Sequence, residues 1–363
     1  MNSKTATARI IAFYLPQFHP IPENDLWWGK GFTEWANVGK AKKLYPGHYQ
    51  PHIPGELGYY DLRVPETRQA QADLGREYGI EGFCWWHYWF GNGKELLERP
   101  FKEVLASGEP DFPFCLGWAN ESWKGFWHGV QGRQVLIEQT YPGEQDYIEH
   151  FNSVLPAFKD KRYITVDGKP LYMIYRPLNN REQILLFMKV WKELASKNGL
   201  KGIYFVAQTY DQANELDSLR EMGFDSVNIV RMYDFEKKEP SAKHIGKLFH
   251  KIFRWPTVVP YKTASKWFID RQTDSMADIN PTIIPNWDHS PRTGKKAFIL
   301  DNSTPEYFRA HLKEALEAVK DKPKEHRLVF VKSWNEWAEG NYLEPDLKFG
   351  RKYLEVLKEE LCK

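Results

Sequence analysis

Apolar runs of strand length recur along the whole chain, and each is followed by a stretch with apolar positions at helical spacing. The runs are Arg9–Leu15, Ile80–His87, Phe112–Trp118, Pro170–Tyr175, Gly202–Gln208, Asp225–Val230, Thr282–Trp287 and Leu328–Trp334. They show almost no alternation of apolar and polar residues. Strands look like this when both faces are covered, as in a parallel sheet walled by helices. The helical patterns are Pro65–Tyr78, Glu95–Leu105, Glu144–Phe158, Arg181–Lys197, Gln212–Met222, Ala242–Phe253, Thr304–Val319 and Arg351–Leu361. Pro65 suits a first turn, where its missing N–H costs nothing, and Glu66 complements the positive helix end. Gly79, Gly199 and Gly223 fall where helix C-caps are expected.

Strand–helix alternation repeated eight times predicts an α/β fold, a single (β/α)8 TIM barrel over residues 1–363 with long βα loops. A doubly wound open sheet is the other arrangement, but no glycine-rich phosphate loop follows the first strand. Residues 16–63 and 231–281 are long and irregular, and both follow a strand. That puts them on the C-terminal face of a barrel, where such enzymes build their sites. No linker rich in Pro, Gly or Ser divides the chain.

Composition narrows the function. The 363 residues suit a barrel of about 250 residues with insertions. A net charge of +2, from 50 basic and 48 acidic residues, gives no footprint for nucleic acid. The pairs Lys237-Lys238 and Lys295-Lys296 read as solvated loop. No run approaches the ~18 apolar residues of a membrane span, and the apolar run at Ile10–Leu15 is too short for a signal-peptide core. There are three cysteines, Cys84, Cys115 and Cys362, an odd number against a disulfide framework. Reduced thiols and the missing leader predict a cytoplasmic protein. No Cys/His spacing suits a metal, and no phosphate loop or nucleophile elbow is present, so neither metal nor cofactor is expected. Oligomeric state is not encoded in any pattern here.

The aromatic content is high, 15 Trp, 19 Tyr and 22 Phe, and it gathers at strand ends beside polar residues. Aromatic faces stack on sugar C–H faces while polar neighbours bind hydroxyls, the pattern of an apolar cleft with a few convergent polar groups. For any single Trp, plain core packing is an equal alternative. The densest motif is Ser333-Trp334-Asn335-Glu336-Trp337-Ala338-Glu339-Gly340, after the last strand. Glycosidic cleavage needs one carboxyl group to protonate the leaving oxygen and a second as base or nucleophile. On a straight strand Glu336 and Glu339 would face opposite ways. They converge if the chain turns, which Gly340 permits. Their repulsion and partial burial would keep one of them protonated near neutral pH. The alternative is a solvated loop with two surface acids.

Four further motifs supply candidate substrate-binding residues. Trp118-Ala119-Asn120-Glu121 follows the third strand, and Glu121 paired with Glu336 is a rival catalytic pair. Glu34-Trp35 lies in the loop after the first strand, which itself carries Tyr14. His87-Tyr88 ends the second strand, although a lone histidine is more often a hydrogen-bonding core residue. Trp287-Asp288 and Arg292 follow the seventh strand, with an Asp288–Arg292 ion pair as the bland alternative.

The stretches Phe13–His19, Trp27–Trp35, Gly47–His52, Gly82–Phe90 and Trp118–Trp123 together resemble the WbsX-like family, often labelled as glycosyltransferases of O-antigen clusters. The element Asn335–Gly340 is similar to that of glycoside hydrolase family 99, the endo-α-mannosidases on (β/α)8 barrels. The resemblance implies that Glu336 acts as base on the sugar's own 2-hydroxyl and Glu339 as general acid, then base. Retention follows, without a glycosyl-enzyme ester. The expected activity is thus a retaining glycosidase on a bacterial polysaccharide or O-antigen-type glycan, with carbohydrate as its partner. The alternatives are a glycosyltransferase of lipopolysaccharide assembly and a non-catalytic carbohydrate-binding barrel.

Overall fold

The computed structural model describes residues 7–125, 135–241, 248 and 251–363. Eight strands close a parallel barrel: β1 Arg9–Tyr14, β2 Gly82–Trp89, β3 Phe114–Trp118, β4 Lys169–Ile174, β5 Tyr204–Thr209, β6 Ser226–Ile229, β7 Ile279–Ile283 and β8 Leu328–Val331. Each pairs in parallel with its sequence neighbours, and β1 closes the ring on β8 and β2. The fold is therefore the (β/α)8 barrel that the alternation predicts.

Helices α1 Pro65–Glu77, α2 Arg99–Ser107, α3 Glu144–Phe158, α4 Arg181–Lys197, α5 Gln212–Glu221, α6 Pro305–Val319 and α7 Lys352–Leu361 form the outer layer. Asn180 caps α4 by accepting from the Gln183 N–H, and Thr304 caps α6 through Tyr307 N–H. The helix predicted at Ala242–Phe253 falls mostly outside the described residues. The described helices between β6 and β7 are short: Phe235–Lys238, Tyr261–Ala264 and Arg271–Asp274. No described helix is long and apolar enough to cross a membrane.

The last strand ends at Val331 rather than Trp334, and two further boundaries differ from expectation by several residues. Glu95–Leu96 is not helical but pairs with Tyr88–Trp89 of β2, and α2 begins only at Arg99, with Pro100 in its first turn. The seventh strand is Ile279–Ile283 rather than Thr282–Trp287. Asn280 and Pro281 read as strand breakers, yet both pair with β6. A polar ladder inside the barrel accepts Asn280: Gln208 donates to Asn228 (2.9 Å), Asn228 to Thr282 (2.8 Å) and Asn280 to Ser226 (2.8 Å). Trp287–Asp288 instead joins a small separate sheet with Phe298–Asp301.

Parity along the strands decides what faces inward. Phe13 stacks on Trp86 and Phe330 within the barrel, centroids 4.8 and 5.4 Å apart. The adjacent Tyr14 and Trp85 point outward, 4.0 Å apart, and Tyr14 donates to Gln71 of α1. Across from Trp86 sits Gly117, where a Cβ would come 3.2 Å from the Trp86 ring. The glycine makes room for the indole.

Candidate active site

Lys332 directly follows β8, and the chain then folds into a hairpin. Asn335–Glu336 pairs with Asn341–Tyr342, and Trp337–Glu339 forms one 3-10 turn between them. Gly340 closes the turn at φ +53°, and a Cβ there would lie 2.7 Å from the Asp288 backbone nitrogen. Only glycine satisfies both the angle and the space. The Asn335 amide fixes the hairpin to β1, accepting from Leu15 N–H (2.7 Å) and donating to Leu15 C=O (3.0 Å).

This turn brings the two carboxylates to one ammonium. Lys332 Nζ lies 3.3 Å from Glu336 Oε2 and 3.8 Å from Glu339 Oε2. Trp86 Nε1 donates to Glu336 Oε1 at 2.9 Å. Arg292 donates to Glu339 and also to the fully buried Glu34, at 2.5 Å through Nη2. Burial and the charge of Glu339 push the Glu336 carboxyl up, although Lys332 opposes them. Burial also pushes Glu339 up, but Arg292 and Lys332 outweigh it and hold this carboxyl below its ordinary range. Burial would lower Lys332, and the two glutamates overcome that and raise it. Burial, with Arg292 beside it, drives His289 down to about 3, so this ring is neutral. Three carboxylates, Glu34, Glu336 and Glu339, thus meet two fixed cations, and one proton balances the cluster. Burial raises Glu34 as well as Glu336, while Glu339 is held low.

The cluster lies in a pocket of about 600 Å³ at the C-terminal mouth of the barrel. Of the residues expected at the site, Tyr88, Glu121, Trp287, Arg292, Glu336 and Glu339 line this pocket. The others do not. Tyr14 and Trp334 pack outside the barrel, Tyr14 on Trp85 and Trp334 on Phe83. Trp118 also points outward, where its indole donates to the Trp89 carbonyl at 2.8 Å. His87 meets His150 at 2.8 Å behind β2 and is a core residue. Trp35 donates to the Tyr60 carbonyl.

Asp288 makes no pair with Arg292; it accepts from His48 and Gln50, both at 2.7 Å, and anchors the loop after β1. Glu34, Asn120 and Asn335 act one step behind the pocket wall. Glu34 holds Arg292, Asn335 holds Leu15, and Asn120 holds the Arg176 backbone by two hydrogen bonds of 2.7 and 2.9 Å. Glu121 is 3.7 Å from Arg176, and no ion pair or hydrogen bond ties it to Glu336.

Sequence reasoning missed Lys332, Trp86, Tyr175, Arg176, Tyr210, Tyr233 and His289, all on the pocket wall. A positional signal existed for three of them. Tyr175, Tyr210 and Lys332 each stand immediately after a barrel strand, the position where barrel enzymes carry functional side chains.

The sequence profile of the family described as "Glycosyltransferase WbsX" matches residues 10–357. The protein WxcX of Xanthomonas campestris pv. campestris, described as uncharacterized, is 37% identical over 365 residues. That alignment covers 99% of this chain and 50% of the relative, so the chain spans about half the length of the curated relatives it matches. Among solved structures, the GH99 endo-alpha-mannosidase of Bacteroides thetaiotaomicron superposes with a TM-score of 0.59 at 15% identity, covering 97% of this chain and 96% of that one. A "Glycoside hydrolase-like protein" superposes at 0.58 with 14% identity, covering 98% and 94%. These superpositions establish a shared barrel.

Proposed function

This chain belongs to the family described as Glycosyltransferase WbsX; from that premise and from its site we propose that it acts on carbohydrate and cleaves a glycosidic bond. The substrate class is a bacterial polysaccharide or O-antigen-type glycan, and Glu336 and Glu339 form the acid–base pair. One observation carries this reading: a buried and a half-buried carboxylate share one lysine at the mouth of a barrel pocket walled by aromatic rings. One acid and one base, held ready together, are what glycoside cleavage requires. Trp28, Tyr88, Trp123 and Trp287 offer faces for sugar rings along the pocket. The barrel neighbours named for glycoside hydrolase activity support the reading.

The order of roles follows from where the proton sits when the glycan is bound. In the resting pair Glu336 is the raised carboxyl and Glu339 the lowered one, which favours Glu336 as the proton's holder. The order drawn from the family resemblance, Glu336 as base and Glu339 as acid, needs it on Glu339. A substrate hydroxyl between the carboxylates could relay it, since it accepts from one and donates to the other. Net retention through the sugar's 2-hydroxyl is then the expected stereochemistry.

The test is a digestion screen of bacterial O-antigens and α-mannans read by mass spectrometry. Wild type is expected to release oligosaccharides, whereas Glu336→Gln and Glu339→Gln each lower turnover by about 10²–10⁴-fold. Wild-type rates in both variants would remove the assignment. Aryl glycosides with leaving groups that need no protonation separate the roles. Release of the aryl group in the first step returns in the variant of the acid and stays lost in the variant of the base. The family description favours a second reading, transfer from an activated sugar. Glycan extension in the presence of a sugar nucleotide, with no release from any glycan, would establish it.

A further inference from the structure

Away from the carboxylates held by Lys332 and Arg292, the charged residues lining the pocket are mostly basic. Lys124, Arg176 and Lys296 line it there with a single carboxylate, Glu121, among the described residues. Lys124 and Lys296 form no ion pair among the described residues, and Glu121 stands 3.7 Å from Arg176 Nε, beyond hydrogen-bonding distance. Arg176 is the most firmly placed of these cations. Its backbone is clamped on both sides by the Asn120 amide. Its guanidinium lies 4.3 Å over the Tyr175 ring and 5.3 Å from Tyr210.

One N–H of Arg176 is committed, from Nη2 to the Tyr175 hydroxyl at 3.0 Å. Nε is buried with no hydrogen-bond partner, and the side chain as a whole is 35% exposed toward the pocket. With Nε buried against Glu121 and Nη2 bonded to Tyr175, Nη1 has no hydrogen bond among the described residues, and a stacked, preoriented guanidinium with such a donor suits a carboxylate or phosphate.

We propose that Arg176 is an anion-recognition group, and that the sugar chain processed here carries a carboxylate or phosphate beside the linkage held at Glu336 and Glu339. Lys124 and Lys296 add long-range attraction at the rim. This deepens the carbohydrate reading above and rests on it. The anion has two chemical sources: an acidic sugar of the glycan, or the diphosphate of an activated donor.

Calorimetric titration of the wild-type chain at constant ionic strength tests the assignment, with glucuronate, galacturonate, glucose and inorganic pyrophosphate as probes. A uronate is expected to bind where glucose does not. Arg176→Met should weaken it by about tenfold or more, the equivalent of a charge-assisted hydrogen bond. Arg176→Lys keeps the charge without the fork and should fall between, with an unchanged melting temperature. Pyrophosphate binding that depends on Arg176, without uronate binding, assigns the anion to an activated donor. No binding of any anion by wild type, or binding unchanged in Arg176→Met, overturns the proposal. The glycosidase reading is judged separately. Uronate binding through Arg176 with turnover indifferent to Glu336→Gln retains the anion site and discards the acid–base pair. Neutral products that require Glu336, with no anion bound, do the reverse.

Discussion

Lys332 joins both carboxylates of the pair, although it belongs to none of the candidate motifs in the sequence. Its ammonium stands within 4 Å of both carboxylates of the pair and 5.3 Å from the Trp287 ring. Removing it leaves Arg292 as the one cation bonded to the cluster. Both ionisations of the pair then become harder, because a nearby positive charge favours the charged carboxylate. Lys332→Met is therefore expected to move both limbs of the kcat/KM–pH bell upward, by about one pH unit or more. A bell that stays in place while its height falls would show that the lysine only positions the pair. In sequence Lys332 falls inside the apolar run Leu328–Trp334, and only its place at a strand end marks it. The same blindness affected β2, which is buried at every position. Trp86 and Tyr88 face the pocket while Trp85 and His87 do not, and without polar alternation the inward residue cannot be told from its neighbour.

Among the elements, the hairpin after β8 makes the site. Its motif was legible: two acids three positions apart, a glycine behind them, and the requirement that the chain turn. The structure supplies the turn and shows what closes it, the contact of Gly340 with the Asp288 backbone. Gly340→Ala should cost about 1–2 kcal/mol from the left-handed angle alone, with the clash added. Because Glu339 sits in the turn that must shift, activity is expected to fall further than the urea midpoint indicates. Activity that tracks stability alone would mean that the carboxylates tolerate a displaced turn. The seventh strand was misplaced for a related reason. Asn280 and Pro281 are locally poor strand residues, and only partners on β6 make them acceptable.

At the scale of the whole molecule, the long segment after β1 is tied to the barrel by buried polar groups. Glu344 joins three elements, accepting from Tyr60 (2.8 Å), from Gln71 of α1 (2.6 Å) and from Trp337 of the hairpin (2.6 Å). Burial, against these three donors, pushes its carboxyl up to about 7. The folded state therefore holds a proton that the unfolded chain has released above its ordinary carboxyl range. Stability from this group is complete at acid pH and lost as pH rises toward and through 7, on the order of 3 kcal/mol in all. Urea midpoints at pH 5 and pH 8 should show a drop in wild type that is much smaller in Glu344→Gln. An equal drop in both would locate the pH dependence elsewhere.

Covered strands alternating with helices, and a carboxylate pair beside aromatic residues at the last strand end, were fixed by the amino-acid order alone, because periodicity and turn chemistry are local properties. Which side chains reach the pocket was decided only by tertiary structure. Strands buried on both faces carry no polarity signal for direction. Lys332 is close to the pair in sequence, but Arg292 and the Glu34 that holds it are 258 positions apart, and such groups meet only once the barrel has closed.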